Sequence, residues 1–331
     1  MAAGNSRLRL LYLLKIFFEQ TDEDHVISTT GLIEKLRTYG IEAERKALYP
    51  DIEALTLCGY DIVTSKTPPG YFLGTREFEL AELRLLSDAV QAAGFISQRK
   101  TNSLLIKLEG LMSKQQADTL RGQVYVERRT KCSNEEIYYN IDKLHYAVTH
   151  GRRVSYVYSR RVLGEDGKAV TSEKQFTVNP YALIWSNDHY YLVCNKTNYD
   201  NLMNARIDRM KKVTVLDLPS RHFSEVSVYK KRFDAADYAE KHFNMFSGEP
   251  KPVELICENT LLEEILDRFG DRTAFTKYDD EHFLITVNAA VTDGLAAWIT
   301  QYGGRIIAKK PEELRKTVKS RAEDILRAYD G

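Results

Sequence analysis

The sequence predicts an α+β multidomain fold with an N-terminal winged helix-turn-helix, a helical connector, a small β-barrel and a C-terminal α+β sandwich. Three observations lead there. Apolar residues at helical spacing run up to Gly59 and give way to an alternating hairpin, the apolar period switches to two from Gly151, and strands alternate with helices after Pro250. With 331 residues, 43% of them hydrophobic and 28% charged, the chain is long enough for more than one domain with an ample core.

Leu10, Leu13, Leu14, Phe17 and Phe18 recur at i, i+3, i+4, i+7 and i+8, the pattern of an amphipathic helix with one buried stripe. After the acidic turn TDEDH, Ser28 or Thr29 can cap a second helix with Leu32, Ile33, Leu36 and Tyr39 inside and Gly40 as its stop. A third helix sets Leu48, Ile52 and Leu55 on one side and ends at Cys58-Gly59. The run YDIVTSKTPPGYFLG alternates around a Pro-Pro-Gly turn, which suits a two-stranded hairpin and completes a winged helix-turn-helix over residues 1–75. Residues 76–140 form the helical connector, with Phe78, Leu80, Leu83, Leu85 and Leu86, then Leu104, Leu105, Leu108 and Leu111, as its apolar positions.

Residues 141–218 carry the barrel. Val154, Tyr156 and Tyr158 alternate with Ser155, Val157 and Ser159, GEDGK supplies a turn, and FTVNPYALIWSNDHYYLVCN gives two strands around Ser186-Asn187-Asp188. MNARIDRMKKVTVLD adds further strand segments, and short antiparallel strands packed this densely in sequence predict closure. Residues 219–249 are polar and read as a linker with a helix near DAADYAEKHF. Residues 250–331 run strand KPVELICE, helix TLLEEILDRFG, strand HFLITVNAA, helix DGLAAWITQYG, strand RIIAKK and helix PEELRKTVKSRAEDILRAY.

Forty-seven basic residues balance forty-seven acidic ones, so the whole chain makes no case for polyanion binding. The local balance differs: residues 1–74 hold eight Lys/Arg against ten Asp/Glu, a net of −2, while residues 140–220 hold twelve against eight, a net of +4. No long uncharged apolar run occurs, and the N-terminal stretch is interrupted by Arg9 and Lys15, so a cytoplasmic protein without a membrane partner is expected. Cys58, Cys132, Cys194 and Cys257 form no C-x-x-C pair and are expected to be reduced, mostly buried thiols. The phosphate-binding, zinc-protease and serine-nucleophile motifs are missing, and His145 and His150 miss the i, i+4 spacing of a metal-binding face. No catalytic residue, cofactor or metal is expected.

In order along the chain, ERKALYPDIEALTLCGYDI, Tyr190-Tyr191-Leu192, Arg206-Ile207-Asp208-Arg209-Met210, DRFG and GLAAWITQYGG resemble the signature segments of bacterial WYL-domain transcriptional regulators. The resemblance covers nearly the whole chain, with Tyr190 standing where the family has its first Trp. It implies a winged helix-turn-helix, an Sm-like WYL barrel that senses a ligand, often a nucleotide or oligonucleotide, and a C-terminal extension in a regulator that dimerises.

In such a fold the N-terminal residues of the third helix approach base edges, which makes Arg45, Lys46 and Tyr49 the natural readers of a double-stranded DNA operator. Arg45 projects nearer the packed side, toward a phosphate. Thr29, Thr30 and Lys66 would hold the backbone. Pro50 fits this helix in one of two ways: it kinks the helix, or it starts it at the first position, where proline is favoured. For a nucleotide or single-stranded nucleic acid effector, the ligand residues are Tyr158, Ser159, Arg160, Tyr190, Tyr191, Arg206, Asp208 and Arg209. Guanidinium forks meet phosphate oxygens and rings stack on bases. Placed in one strand, Arg206 and Asp208 share a face and Arg209 takes the other, while Arg161 extends the basic rim. The partners expected are operator DNA, that effector and a second copy of the chain. An adaptor that binds nucleic acid through the barrel without reading an operator is the alternative.

Overall fold

The computed structural model describes residues 2–120 and 131–330, and the chain divides into two compact units, Met1–Ser133 and Asn134–Gly331. The fold is mixed α+β. Among the described residues no helix is long and apolar enough to cross a membrane.

The first unit opens with helices α1 (Ala2–Gln20), α2 (Thr29–Thr38) and α3 (Arg45–Leu57), followed by the antiparallel hairpin β1 (Ile62–Lys66) and β2 (Pro69–Leu73). Its core joins Leu13, Ile16 and Phe17 of α1 to Leu32 and Leu36 of α2, Leu48, Ile52 and Leu55 of α3, and Leu73 of β2. Ser28 caps α2 by accepting from the Gly31 N–H at 3.1 Å, and Gly40 follows the helix at φ +73°, where a side chain would be strained. Lys66 faces Pro69 in the hairpin register, so the turn is Thr67-Pro68, not Pro-Pro-Gly. Gly70 sits inside β2 because Ile27 exchanges two backbone hydrogen bonds with Tyr71 there, and a Cβ on residue 70 would lie 2.6 Å from the Ile27 carbonyl oxygen.

Helices α4 (Leu80–Ala92), α5 (Gln98–Glu109) and α6 (Lys114–Leu120) follow, with Leu83, Met112 and Ala117 buried together. Leu85 and Leu86 are exposed, against expectation. Part of the connector expected over 76–140, residues 121–130, lies outside the described residues. The Ser113 hydroxyl before α6 donates to the buried Asp22 carboxylate after α1, which also accepts from His25 Nδ1 at 2.7 Å.

The second unit begins with α7 (Ile137–Thr149), which packs on a five-stranded antiparallel sheet of β3 (Arg152–Leu163), β4 (Ala169–Ser186), β5 (His189–Lys196), β6 (Leu202–Arg206) and β7 (Met210–Pro219). The strand order is β6-β5-β4-β3-β7. The predicted barrel is therefore an open sheet: β6 and β7 are its two edges and do not pair among the described residues. The three-residue turn Ile207–Arg209 links them and sends β7 along β3 instead of back along β6. Asn134 and Asn140 hold this corner, each donating its side-chain amide to the Met210 carbonyl, at 2.7 and 3.0 Å.

Residues 219–249 are more than a linker. Tyr229, Phe233 and the buried Tyr238 of α8 (Ala235–Lys241) pack against Ala182, Ile184 and Val193 of the sheet. Their polar composition hid three aromatic anchors. The chain then forms β8 (Pro250–Glu258), α9 (Leu262–Phe269), β9 (Phe275–Lys277), β10 (His282–Ala290), α10 (Asp293–Thr300), β11 (Ile306–Lys310) and α11 (Glu312–Tyr329). The second sheet has the order β11-β8-β10-β9, with Val253, Leu255, Phe283, Ile285, Leu295, Ile299 and Leu314 in its core. The short edge strand β9 was not foreseen.

Candidate nucleic-acid and ligand-binding sites

Helix α3 starts at Arg45 after Glu44 and runs through Pro50 to Leu57, so Pro50 is interior, not first. It cannot donate to the Lys46 carbonyl, a loss of roughly 3 kcal/mol in an undistorted helix. Tertiary packing offsets this: Leu48, Ile52 and Leu55 are buried, and Arg9 of α1 clamps Asp51 with its Nε 2.5 Å and its Nη2 3.2 Å from the carboxylate oxygens. This hydrogen-bonded pair raises the Arg9 pKa. Asp51 beside Ile52 is the signal that could have exposed the clamp: an acid on the apolar side needs a cation.

The outward side carries Arg45, Lys46, Tyr49 and Pro50, all exposed. Arg45 lies with Lys46 and Tyr49 and not nearer the packed side, because its Nε donates to the Tyr49 hydroxyl at 2.8 Å, one helical turn on. Thr29 and Thr30 form the first turn of α2, Thr30 exposed and Thr29 half-buried, and the exposed Lys66 closes β1.

In the second unit rings and cations alternate. Arg160 lies over the Tyr158 ring at 5.2 Å, Tyr158 meets Phe176 edge-on at 6.3 Å, and Lys196 sits 4.8 Å from Phe176 and 5.6 Å from Tyr199. Tyr158 and Arg160 share a face of β3, and Ser159 and Arg161 point the other way, opposite Glu173 and Thr171 on β4. Phe176, Lys196 and Tyr199 escaped the sequence reading, although a Lys spaced along an aromatic strand could have pointed to them.

The expected arginine strand is not one strand. Arg206 ends β6, while Asp208 and Arg209 lie in a 3₁₀ turn, so the two-residue alternation does not apply. Through that turn Asp208 takes Arg206 in a fork, Nε at 3.1 Å and Nη2 at 2.7 Å. Burial alone would lower the Arg206 pKa, but the fork with Asp208 outweighs it and raises it. Tyr191 pairs with Arg206 in the β5–β6 register, and its phenol is pushed up by burial against the lowering field of Arg206. His189, absent from the sequence reading, has its pKa lowered by burial first and then by Arg206, and its Nδ1 is buried without a hydrogen-bond partner. Tyr191, His189, Arg206, Asp208 and Arg209 thus form one electrostatic neighbourhood, and Tyr158 reaches it from β3.

Tyr190 alternates to the opposite face from Tyr191 and packs on Trp185 at 5.6 Å, so the two tyrosines do not share a surface. Tyr156 is core: it is 1% exposed, and burial, with Cys194 beside its hydroxyl, raises its pKa strongly. Cys194 and Cys257 are buried, Cys132 is half-buried and Cys58 is exposed, so only two of the four thiols are buried as expected. Among the described residues no group of three or more His, Cys, Asp or Glu side chains could hold a metal ion. Arg206 and Arg209 stand with Asp208 beside Tyr191, while Arg160 and Lys196 lie over the rings of Tyr158 and Phe176, and cations set among rings in this way suit an anionic ligand with a planar base.

No curated protein sequence matches the chain. Proteasome accessory factor B/C (PafBC) of Arthrobacter aurescens is similar at 19% identity with a TM-score of 0.28, over 98% of this chain and 48% of that one. The chain thus spans about half the length of that protein. A CRISPR Cas-related protein is similar at 13% identity with a TM-score of 0.37, over 76% of this chain and 71% of that one. The domain comparison is the more specific: residues 139–215 match the WYL domain and residues 251–326 match the WCX domain, and the chain carries the two in that order.

Proposed function

We propose that this protein is a cytoplasmic, dimeric transcriptional regulator. Its N-terminal helices and hairpin act as a winged helix-turn-helix on a double-stranded DNA operator. Its WYL domain takes a nucleotide or single-stranded nucleic acid that alters operator affinity. The observation that carries this reading is the Arg206–Asp208 fork beside Tyr191, with Tyr158 and its overlying Arg160 near it, within a matched WYL domain. A ligand that favours one dimer arrangement shifts the spacing of the two α3 helices, and the coupling equals its differential affinity for the two arrangements. No catalytic constellation is assigned, and the ligand is released unchanged.

One experiment tests both halves. Genomic DNA bound by the protein is sequenced, and operator affinity is then measured by fluorescence anisotropy at fixed salt with and without short oligonucleotides. Arg206→Ala is expected to keep operator binding and the folded circular-dichroism spectrum but lose the response to effector. Lys46→Ala with Tyr49→Ala is expected to weaken operator binding by about 1–3 kcal/mol per lost base contact. A retained response in the first variant, or unchanged operator binding in the second, overturns the corresponding half. The interior Pro50 and the net charge of −2 over residues 1–74 favour a second reading, an adaptor without operator recognition. Tight binding of single strands with no preference among duplexes would select it.

A further inference from the structure

A cleft of about 490 Å³ opens in the second unit, away from the Arg206 neighbourhood in lining and in charge. Three stretches of chain meet in it: the turn Asp200–Leu202 between β5 and β6, the segment Glu225–Tyr229, and Ser247–Pro250 where the chain enters β8. Its size falls within the roughly 300–1,000 Å³ of small-molecule sites.

The walls are held in place by hydrogen bonds. The Asn195 amide donates to the carbonyls of Tyr199 at 2.6 Å and Asn201 at 3.0 Å, fixing the first turn. The buried His242 ring stands between the carbonyl oxygens of Tyr238, 2.6 Å away, and Gly248, 3.1 Å away, tying the end of α8 to the third stretch. The Tyr229 hydroxyl donates to Asp237 at 2.6 Å, which orients its ring. Tyr229 and Tyr238 give the cleft an aromatic side and Leu202 and Val226 an apolar one.

Charge decides what fits. Asp200, Glu225 and Glu249 line the cleft, and among the described residues no Lys or Arg does. Arg221 stands behind the wall and answers both Asp200, at 2.8 Å, and Glu225, at 3.1 Å, with one positive charge. The Lys230 ammonium is turned onto the carbonyls of Ser224 and Ser227. Glu249 is exposed, and of the cations outside the lining Lys251 feels its field. With three carboxylates on the lining, a phosphate or carboxylate loses there what an ammonium gains, and the apolar and aromatic side chains receive the body that carries it.

We propose that this cleft is a binding site for a small organic cation, an amine carried on an apolar body, separate from the cationic face of the WYL domain. Two probes that share an indole body and a two-carbon arm test it on the full chain: tryptamine, which ends in an ammonium, and indole-3-propionate, which ends in a carboxylate. Binding is followed by ligand-observed NMR and calorimetry in low-salt buffer, where surface charge is least screened. Tryptamine is expected to saturate a single site and to bind at least tenfold more tightly than indole-3-propionate. Val228→Trp fills the mouth from an exposed position, leaves the fold intact by circular dichroism and removes the binding. Glu249→Lys shrinks the preference for tryptamine severalfold. Absence of saturable tryptamine binding, equal binding of the two probes, or binding indifferent to Val228→Trp would each overturn the proposal.

Discussion

At the scale of single residues, Asp51 controls how α3 presents its outer side. It lies between Leu48 and Leu55 on the packed side, where an ionised carboxylate is tolerated only because Arg9 forks onto it. Both side chains keep some solvent contact, 17% for Arg9 and 12% for Asp51. Arg9→Ala should therefore cost less than the 3–5 kcal/mol of a fully buried broken pair, about 2 kcal/mol. Thermal unfolding of the first unit measures it. The double variant Arg9→Met with Asp51→Leu removes both charges together and should recover most of the loss, since the orphaned charge and not the missing bond is what costs. If Arg9→Ala and the double variant unfold alike, the clamp is incidental.

At the scale of elements, Asp22 latches α6 to the chain leaving α1. Burial alone would raise its pKa, but hydrogen bonds from Ser113 and His25 prevail and hold it below the usual carboxylate range. A depressed folded value means that the latch contributes stability at pH values above the unfolded pKa of about 3.9 and loses it as pH falls through the folded value. The stability gap between the wild type and Asp22→Asn should accordingly be constant near neutrality and narrow below about pH 4. A gap that does not change with pH would show that the carboxylate charge plays no part. Elements of this kind differ in how plainly the sequence announces them. The inner faces of α2 and α3 were legible because Leu32, Leu36, Leu48, Ile52 and Leu55 recur at helical spacing and all are buried. The Arg206–Arg209 corner was not, since a three-residue 3₁₀ turn has no period of its own and a strand pattern runs straight across it. Nor was the open edge of the sheet, because strand count says nothing about whether the first and last edges pair. His189 and Lys196 escaped for a related reason: their neighbours Arg206 and Phe176 are brought to them by cross-strand packing, which linear spacing does not encode.

At the scale of the whole molecule, a net charge of zero conceals a module of −2 over residues 1–74 and one of +4 over residues 140–220. The two proposed activities should therefore respond to salt independently. Operator binding rests on the few contacts that Arg45, Lys46 and Lys66 can make, and each phosphate neutralised on a duplex contributes a slope of about −0.9 in log K against log salt. Binding of a single strand rests on Arg160, Lys196, Arg206 and Arg209, with about −0.7 per phosphate. Arg206→Ala should thus flatten the salt dependence of oligonucleotide binding by about 0.7 and leave that of operator binding where it was. Lys66→Ala should do the reverse, reducing the operator slope by about 0.9 for each hairpin engaged. Titrations across a salt series separate the cases: if one substitution flattens both curves, duplex and single strand share a surface and the division of labour between the two units fails.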